Sequence, residues 1–353
     1  MTTSEPDILI IGQGLAGSLL AWELESRGCR TLVVDDQHRG CASMAAAGLI
    51  STVTGKRLVL QHRIDELLPA ARARYRTLER DLGIPLLHEI PVLRLFVDDT
   101  QRKTFRRRQA DPAYDAYLGP EASEDELAGL AAPFGGGWIR GTGYLDTRPL
   151  LAALRRWLHD RDRLAETAID PADVRSDGKR VRCDNLSAGK IVFCEGHRAI
   201  TSPWFRHLPW AGAKGEILEL RLSGSSPLPA AILNWGNWLA PRTDGTFRLG
   251  ATHSWDPLDE QATATARQHL LDDLAARIPG IQAEIIRHSV GIRPATSTRQ
   301  PLLGHRPGTP RILIFNGFGA KGGLLIPWHA RAMADHLCDG VPLPESSAIT
   351  RYG

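Results

Sequence analysis

The sequence has few of the features that are typical of membrane proteins, disulfide-rich proteins or nucleic-acid-binding proteins. Its 353 residues contain only five widely spaced cysteines and no CxxC pair. We therefore expect no disulfides, no metal site and a reducing compartment. No apolar run approaches the roughly 20 residues of a membrane span. The formal net charge is +3, which is too small to indicate nucleic acid as a partner.

The N-terminal region and the length give two further expectations. The opening MTTSEPDILIIGQG has no basic region before its short apolar run, so we expect no signal peptide and a cytoplasmic location. Hydrophobic residues make up 42% of the chain and charged residues 24%, as in ordinary globular proteins. A single core stops growing near roughly 250–300 residues, so we expect two lobes.

The first 35 residues predict a strand, a glycine-rich turn, a helix and a second strand. The buried-strand pattern DILII runs directly into GQGLAG, and TLVV follows the helical pattern. Such a βαβ opening favours a parallel sheet. The end of the chain repeats this order, with RILIFNG, FGAKGG and an apolar helical segment.

The glycines of this turn form a dinucleotide-binding motif. Gly12 permits the tight turn, Gly14 lets the backbone approach a pyrophosphate, and Gly17 lets the helix pack on the sheet. Asp35 ends the second strand, at the distance expected of an acid that accepts hydrogen bonds from a ribose; Asp36 is the alternative. The motif alone does not distinguish NAD from FAD.

A cluster of small residues and a set of strand and helix patterns follow further along the chain. The small side chains of ASMAAAGLI, residues 42–50, could support a flat ligand or could mark a tightly packed helix start. Between residues 213 and 252 the sequence alternates as strands do, and Asp244-Gly245 predicts a hairpin. Helices are predicted at 146–158 and at about 260–277.

In combination these motifs resemble the FAD-dependent D-amino-acid oxidase superfamily, on the glycine oxidase and sarcosine oxidase side. The resemblance extends from about residue 7 to residue 340 and rests on GQGLAG, VVDD, ASMAAAGLI, GTGYLDTRPLLAAL, APRTDGTFRLGAT, VGIRPATSTRQPLLG and NGFGAKGGLLIP. It implies an α/β protein with a Rossmann-type FAD-binding domain and an α+β substrate domain built on an antiparallel sheet. The implied FAD-binding domain comprises 1–60, 140–205 and 286–353, and the substrate domain 61–139 and 206–285.

The resemblance also implies which residues contact a non-covalent FAD. They are Gly12, Gly14, Leu15, Ala16, Gly17, Asp35, Asp36, Ala42, Ser43, Ala47, Gly48, Leu49, Ile169, Gly196, Phe318, Gly319, Ala320, Lys321, Gly322, Gly323 and Leu324.

Four residues become candidates for the substrate site. Arg293, in GIRP, matches the family's carboxylate-binding arginine, and a guanidinium is suited to that task. Trp238 stands where glycine oxidase has a tyrosine, and His253 falls where the family lines the pocket. Lys321 could hold a carboxylate or assist oxygen reduction. Trp235 and Asn234 are weaker candidates.

The expected activity is oxidation of a C–N bond in a small amino acid or secondary amine that carries a carboxylate. The acceptor is expected to be oxygen, giving hydrogen peroxide, or another electron acceptor. A 2-hydroxy-acid oxidase and an enzyme that removes a carboxymethyl group from a modified tRNA base are alternatives. The basic run 102–108 would suit the latter, although such runs are more often solvated helix faces. A non-enzymatic flavin protein is a further alternative.

Overall fold

The computed structural model describes residues 5–38, 40–224 and 227–352. The α-helices of this part are α1 (Leu15–Glu25), α2 (Ala42–Ala45), α3 (Ile64–Leu82), α4 (Asp99–Gln109), α5 (Thr147–His159), α6 (Ala264–Arg277) and α7 (Gly322–Asp339). The strands are β1 (Ile8–Ile11), β2 (Thr31–Val34), β3 (Leu49–Ile50), β4 (Val53–Thr54), β5 (Val59–Leu60), β6 (Leu87–Glu89), β7 (Val92–Leu95), β8 (Leu118–Glu121), β9 (Gly136–Ile139), β10 (Gly143–Leu145), β11 (Leu164–Ala165), β12 (Arg175–Ser176), β13 (Val181–Cys183), β14 (Leu186–Ala188), β15 (Lys190–Phe193), β16 (Ala213–Ser223), β17 (Ile232–Asn234), β18 (Trp238–Pro241), β19 (Phe247–Gly250), β20 (Gln282–Arg293), β21 (Leu302–His305) and β22 (Ile312–Asn316).

A six-stranded sheet combines strands from the N-terminal and the C-terminal parts of the chain. Its order is β11-β2-β1-β15-β22-β21, and all neighbours are parallel except β21 and β22. Every residue of β1 is buried, because Ile8 and Ile10 face the core that contains α1 and α7, whereas Leu9 and Ile11 face the core that contains β13. Apolar residues on both faces are typical of a parallel strand covered on two sides. The predicted βαβ opening and Rossmann-type sheet are confirmed.

An eight-stranded sheet forms the second large layer. Its order is β20-β16-β19-β18-β17-β7-β9-β8, and its pairs are antiparallel except β17 with β7. The predicted hairpin joins β18 to β19, with Gly245 in the left-handed region at φ 79°. This sheet takes its strands from 92–139 and 213–293. Strand β20 continues to Arg293, past the boundary at 286 that the sequence suggested.

No helix in the described ranges is both long enough and apolar enough to cross a membrane.

Helix α3 is tied to the start of α7 by one buried hydrogen bond. The hydroxyl of Tyr75, which is fully buried, donates to the backbone oxygen of Gly323 at 2.7 Å. Tyr75→Phe keeps the packing of the ring but leaves that buried carbonyl without its donor. We expect the free energy of unfolding to fall by about 1 kcal/mol, measured by urea denaturation. An unchanged urea midpoint would show that the bond does not contribute to stability.

Candidate active site

One cavity of about 560 Å³ lies between the two large sheets. It is at the carboxyl ends of β1, β2 and β15, where ligands bind in open parallel sheets. Its other walls come from the Ala-rich segment 42–48, the strands β16, β18 and β20, and the loop before α7.

The glycine turn forms one end of this cavity. Gly12 has a φ of 99°, and a Cβ there would lie 2.7 Å from the backbone oxygen of Cys194. A Cβ on Gly17 would lie 1.9 Å from the oxygen of Gly12, so α1 starts in contact with the turn. No side chain caps α1 from its N-cap Gly14, although Ser43 Oγ accepts from the amide of Leu15 at 3.2 Å. The exposed helix amides make this end suitable for an anion.

The two acids that end β2 have different surroundings. Asp35 is buried and accepts hydrogen bonds from the amides of Gln13 and His38, both at 2.8 Å, and from Arg155 at 3.0 Å. Burial by itself would raise the pKa of Asp35, but these hydrogen bonds and the nearby charges lower it. Asp36 lines the cavity as well and pairs with Arg198 at 2.9 Å. Asp35 is therefore the structurally fixed acid.

Three arginines hold the Ala-rich segment. Arg148 of α5 donates to the oxygen of Met44 at 2.7 Å, Arg248 of β19 to that of Ala46 at 2.6 Å, and Arg242 to that of Ala47 at 2.6 Å. Burial and the charges of the other two arginines lower the pKa of Arg248 to about 10. The carbonyls of this segment thus point away from the cavity, toward guanidinium groups.

Residues 42–49 form one wall of the cavity, which is called the platform below. Ala42, Ser43, Ala47, Gly48 and Leu49 all line the cavity. A Cβ on Gly48 would lie 2.0 Å from the oxygen of Leu145, so no other residue type fits there without displacing the backbone. Of the two possibilities that the sequence left open, the structure shows a platform beside the cavity, although residues 42–45 are also helical.

The far end of the cavity contains Arg293, Trp238 and His253. Among the described residues, the Arg293 guanidinium donates hydrogen bonds to the backbone oxygens of Lys214 and Thr252, at 3.4 Å. In the described part of the chain no carboxylate pairs with it. Burial lowers the pKa of Arg293. Partial burial and the charge of Arg293 lower the pKa of His253, so this histidine is neutral at pH 7.

Two glycines make room for these side chains. A Cβ on Gly215 would lie 2.2–2.5 Å from the Arg293 guanidinium. A Cβ on Gly250 would lie 2.8 Å from the Trp238 ring. The requirement at Gly215 is not visible in the sequence, because Gly215 is distant along the chain from Arg293. Gly250 is the cross-strand partner of Trp238 in the β18–β19 hairpin.

Most of the sequence-predicted residues line the cavity, but several do not. Ile169, Gly196, Phe318, Gly319, Ala320, Gly322 and Gly323 do so. Leu324 is a core residue, and Gly17 serves the packing of α1. Lys321 lies outside the lining and donates to Gln61 Oε1 at 2.6 Å. Asn234 ends β17 and bonds to Arg94, and Trp235, in the turn that follows, donates to Asp273.

Sequence analysis missed Glu195, which follows β15 in the cavity wall. Burial raises the pKa of Glu195 to about 7, and its buried Oε2 atom has no hydrogen-bond partner in the part of the chain that the structure describes. Glu195 directly precedes Gly196, a predicted FAD contact, and this position was the indication that the sequence offered. The described residues contain no cluster of His, Cys, Asp and Glu that could hold a metal ion.

The basic run on α4 is paired with acids in part. Arg102 and Arg106 share Glu121, and Lys103 pairs with Asp99 at 2.6 Å. The Arg108 guanidinium lies 5.2 Å from the centre of the Tyr114 ring. Three of the five basic side chains of this run are thus in ion pairs with two carboxylates.

Comparisons with known proteins agree with the geometry. The model of a family described as DAO, FAD dependent oxidoreductase, matches residues 7–336. The tRNA 5-methylaminomethyl-2-thiouridine biosynthesis bifunctional protein MnmC of Azoarcus sp. is 28% identical, over 97% of this chain but 58% of that protein. This chain therefore spans little more than half the length of that relative.

Two further similarities cover both chains almost completely. The glycine oxidase of Pseudomonas aeruginosa is 24% identical over 98% of each chain. The crystal structure of iminodiacetate oxidase (IdaA) from Chelativorans sp. BNC1 is 26% identical, with a TM-score of 0.78 and 98% of each chain covered. The α/β fold is shared with that oxidase.

The acids that end β2 provide a matched pair for a binding test. Asp35→Asn would place an amide NH₂ among three donors, so we expect the dissociation constant for FAD to rise about tenfold or more. Asp36→Asn should change it by less than about threefold. The constants are measured by titrating apoprotein with FAD and following flavin fluorescence. A larger effect at Asp36 would transfer the ribose-binding role to that residue.

Proposed function

Since the chain belongs to the DAO family of FAD-dependent oxidoreductases, we propose that it oxidises the C–N bond of a small amine that carries a carboxylate. The proposed product is an imine, which water hydrolyses. The proposal is supported by the similarity to glycine oxidase and iminodiacetate oxidase, and by the chemistry of the cavity.

The cavity fits FAD from end to end. The glycine turn and the start of α1 suit the pyrophosphate, because Gly12, Gly14 and the first residues of α1 line the cavity and a helix N-terminus favours an anion. Asp35 and Ile169 line the cavity and are proposed to contact the adenosine, and the lining residues of the platform 42–49 and of the loop before α7 are proposed to contact the flavin. FAD, when bound, supplies the hydride acceptor that oxidation of the amine requires.

One observation carries the substrate class. Arg293 is partly buried at the flavin end of the cavity and has no carboxylate partner among the described residues. A buried charge without a counter-ion is costly, and a guanidinium binds a carboxylate through two parallel hydrogen bonds. We infer that the substrate carboxylate completes this site and that Arg293 orients the neighbouring carbon.

The charges around Arg293 favour an uncharged amine. The Arg293 charge opposes a second positive charge nearby, and His253 is neutral at pH 7 because its pKa is lowered. A neutral amine has the lone pair that oxidation to an imine requires. Trp238 forms an apolar wall beside Ala47, Ile217 and Ala251, which restricts the orientation of the substrate and supplies proximity.

We further propose oxygen as the electron acceptor, with hydrogen peroxide as the second product.

The Lys321 amine does not line the cavity and is bound to Gln61. The proposed function therefore gives Lys321 no role in binding the substrate carboxylate.

A carboxymethylamino group on a modified tRNA base is a second candidate substrate, favoured by the similarity to MnmC. It would present the same carboxylate and amine to Arg293. The pairing of Arg102, Lys103 and Arg106 with Glu121 and Asp99 reduces, but does not remove, the positive charge that a tRNA-binding surface at α4 would need.

The reaction class is tested by following the visible spectrum of the holoenzyme during anaerobic addition of pooled donors. The pools are glycine with sarcosine, iminodiacetate, proline analogues, D-amino acids, L-amino acids and 2-hydroxy acids. We expect bleaching of the flavin by an amine pool. Bleaching by 2-hydroxy acids alone would contradict the proposal, and a flavin that no pool reduces would favour the tRNA substrate.

Arg293 and Gly215 are tested together. Arg293→Ala should raise KM by about 30- to 100-fold with FAD still bound, because a charge-assisted hydrogen-bonded pair is lost. Gly215→Ala should raise KM by about tenfold, because its Cβ displaces the guanidinium. Ser223→Ala, on an exposed part of the same strand, is the control and should leave KM unchanged. An unchanged KM in Arg293→Ala would overturn the carboxylate assignment.

A further inference from the structure

Two cysteines meet where the ends of α1 and α7 that lie away from the cavity come together. Cys29 follows α1, and Cys338 lies in the last turn of α7. Their sulfur atoms are 2.8 Å apart, and the hydrogen bond between them is exposed. Both residues are free thiols. The sulfurs would need to approach by only roughly 0.8 Å to reach the length of a disulfide bond.

The surrounding groups hold the two helix ends together. Arg27 pairs with Asp335 of α7 at 2.6 Å and lies 3.8 Å from Asp339. Both helices begin at the cavity, since Leu15 and Ala16 of α1 and Gly322 and Gly323 of α7 line it. A bond between the cysteines would therefore join the far ends of two helices whose first turns form the proposed cofactor site.

We propose that Cys29 and Cys338 are a modification site at which hydrogen peroxide produces a reversible intramolecular disulfide. One sulfur attacks the peroxide, the O–O bond breaks, and a sulfenic acid and water are formed. The second sulfur then attacks the sulfenic sulfur and releases a second water. Two thiols lose two electrons and two protons in total, and one hydrogen peroxide is reduced to two waters. This proposal goes beyond the proposed function, because hydrogen peroxide from any source serves as the oxidant.

The chemistry sets the expected rate and effect. Burial and the hydrogen bond to Cys29 raise the pKa of Cys338 to about 12, so its thiol stays protonated at neutral pH and the reaction is expected to be slow. A cross-link between residues so distant along the chain restricts the unfolded state strongly. The melting temperature of the oxidised holoenzyme is expected to rise by roughly 3–8 °C, and a thiol reductant is expected to reverse the rise.

The test treats the purified holoenzyme with hydrogen peroxide, then counts thiols in denaturant and maps the peptides by mass spectrometry. We expect the five thiols of the sequence to fall by two, with one peptide pair joining Cys29 to Cys338. Cys29→Ser and Cys338→Ser should each abolish the cross-link. Cys183→Ala, which changes a buried cysteine in another core cluster, is the control and should retain the cross-link.

Two results would overturn the proposal. One is five thiols remaining after peroxide treatment, and the other is a sulfinic acid at Cys338 without a linked peptide. The peptide map of the protein without substitutions shows whether the Cys29–Cys338 cross-link forms, even if a serine variant fails to fold. Because the peroxide is added, the result does not depend on whether the enzyme oxidises an amine.

Discussion

The binding of three guanidinium groups to the carbonyls of the Ala-rich segment is the interaction on which the cavity depends. Arg148 comes from a helix next to the six-stranded sheet, whereas Arg242 and Arg248 come from the β18–β19 hairpin of the eight-stranded sheet. Residues 42–48 are therefore fixed from both layers at once. Without these bonds the segment would have buried carbonyls that lack donors, and the cavity would lose the wall that both of its ends share.

Two of these arginines are also paired with groups that do not line the cavity. Arg148 also pairs with Glu219 at 2.9 Å, and Arg242 lies 3.4 Å from Asp146 and 4.0 Å from the centre of the Tyr144 ring. These partners lie behind the segment. Arg293 lacks such a partner among the described residues, and this difference separates the structural arginines from the one that is available to a ligand.

The sequence predicted those features that depend on local order along the chain. The βαβ opening, the glycine turn and the β18–β19 hairpin each depend on residues a few positions apart, so their patterns were sufficient. Segment 42–50 could not be interpreted in this way, because its role depends on Arg148 and Arg242, about 100 and 200 positions away. Gly215 could not be recognised as the residue beneath Arg293 for the same reason. Lys321 shows the reverse case: it belongs to a recognisable loop, but the direction of its side chain follows from its contact with Gln61.

The distribution of charge along the cavity gives a bound ligand a direction. Asp35, Asp36 and Arg293 all line the cavity, but their surroundings differ. Asp35 and Asp36 are paired with Arg155 and Arg198 and can still accept hydrogen bonds from hydroxyl groups. Arg293 has no carboxylate partner among the described residues and attracts a carboxylate. The amides at the start of α1 lie between the ends and suit the phosphates. In the proposed binding mode a dinucleotide therefore lies with its flavin ring beside Arg293, and the proposed carboxylate-bearing substrate is attracted to the same place.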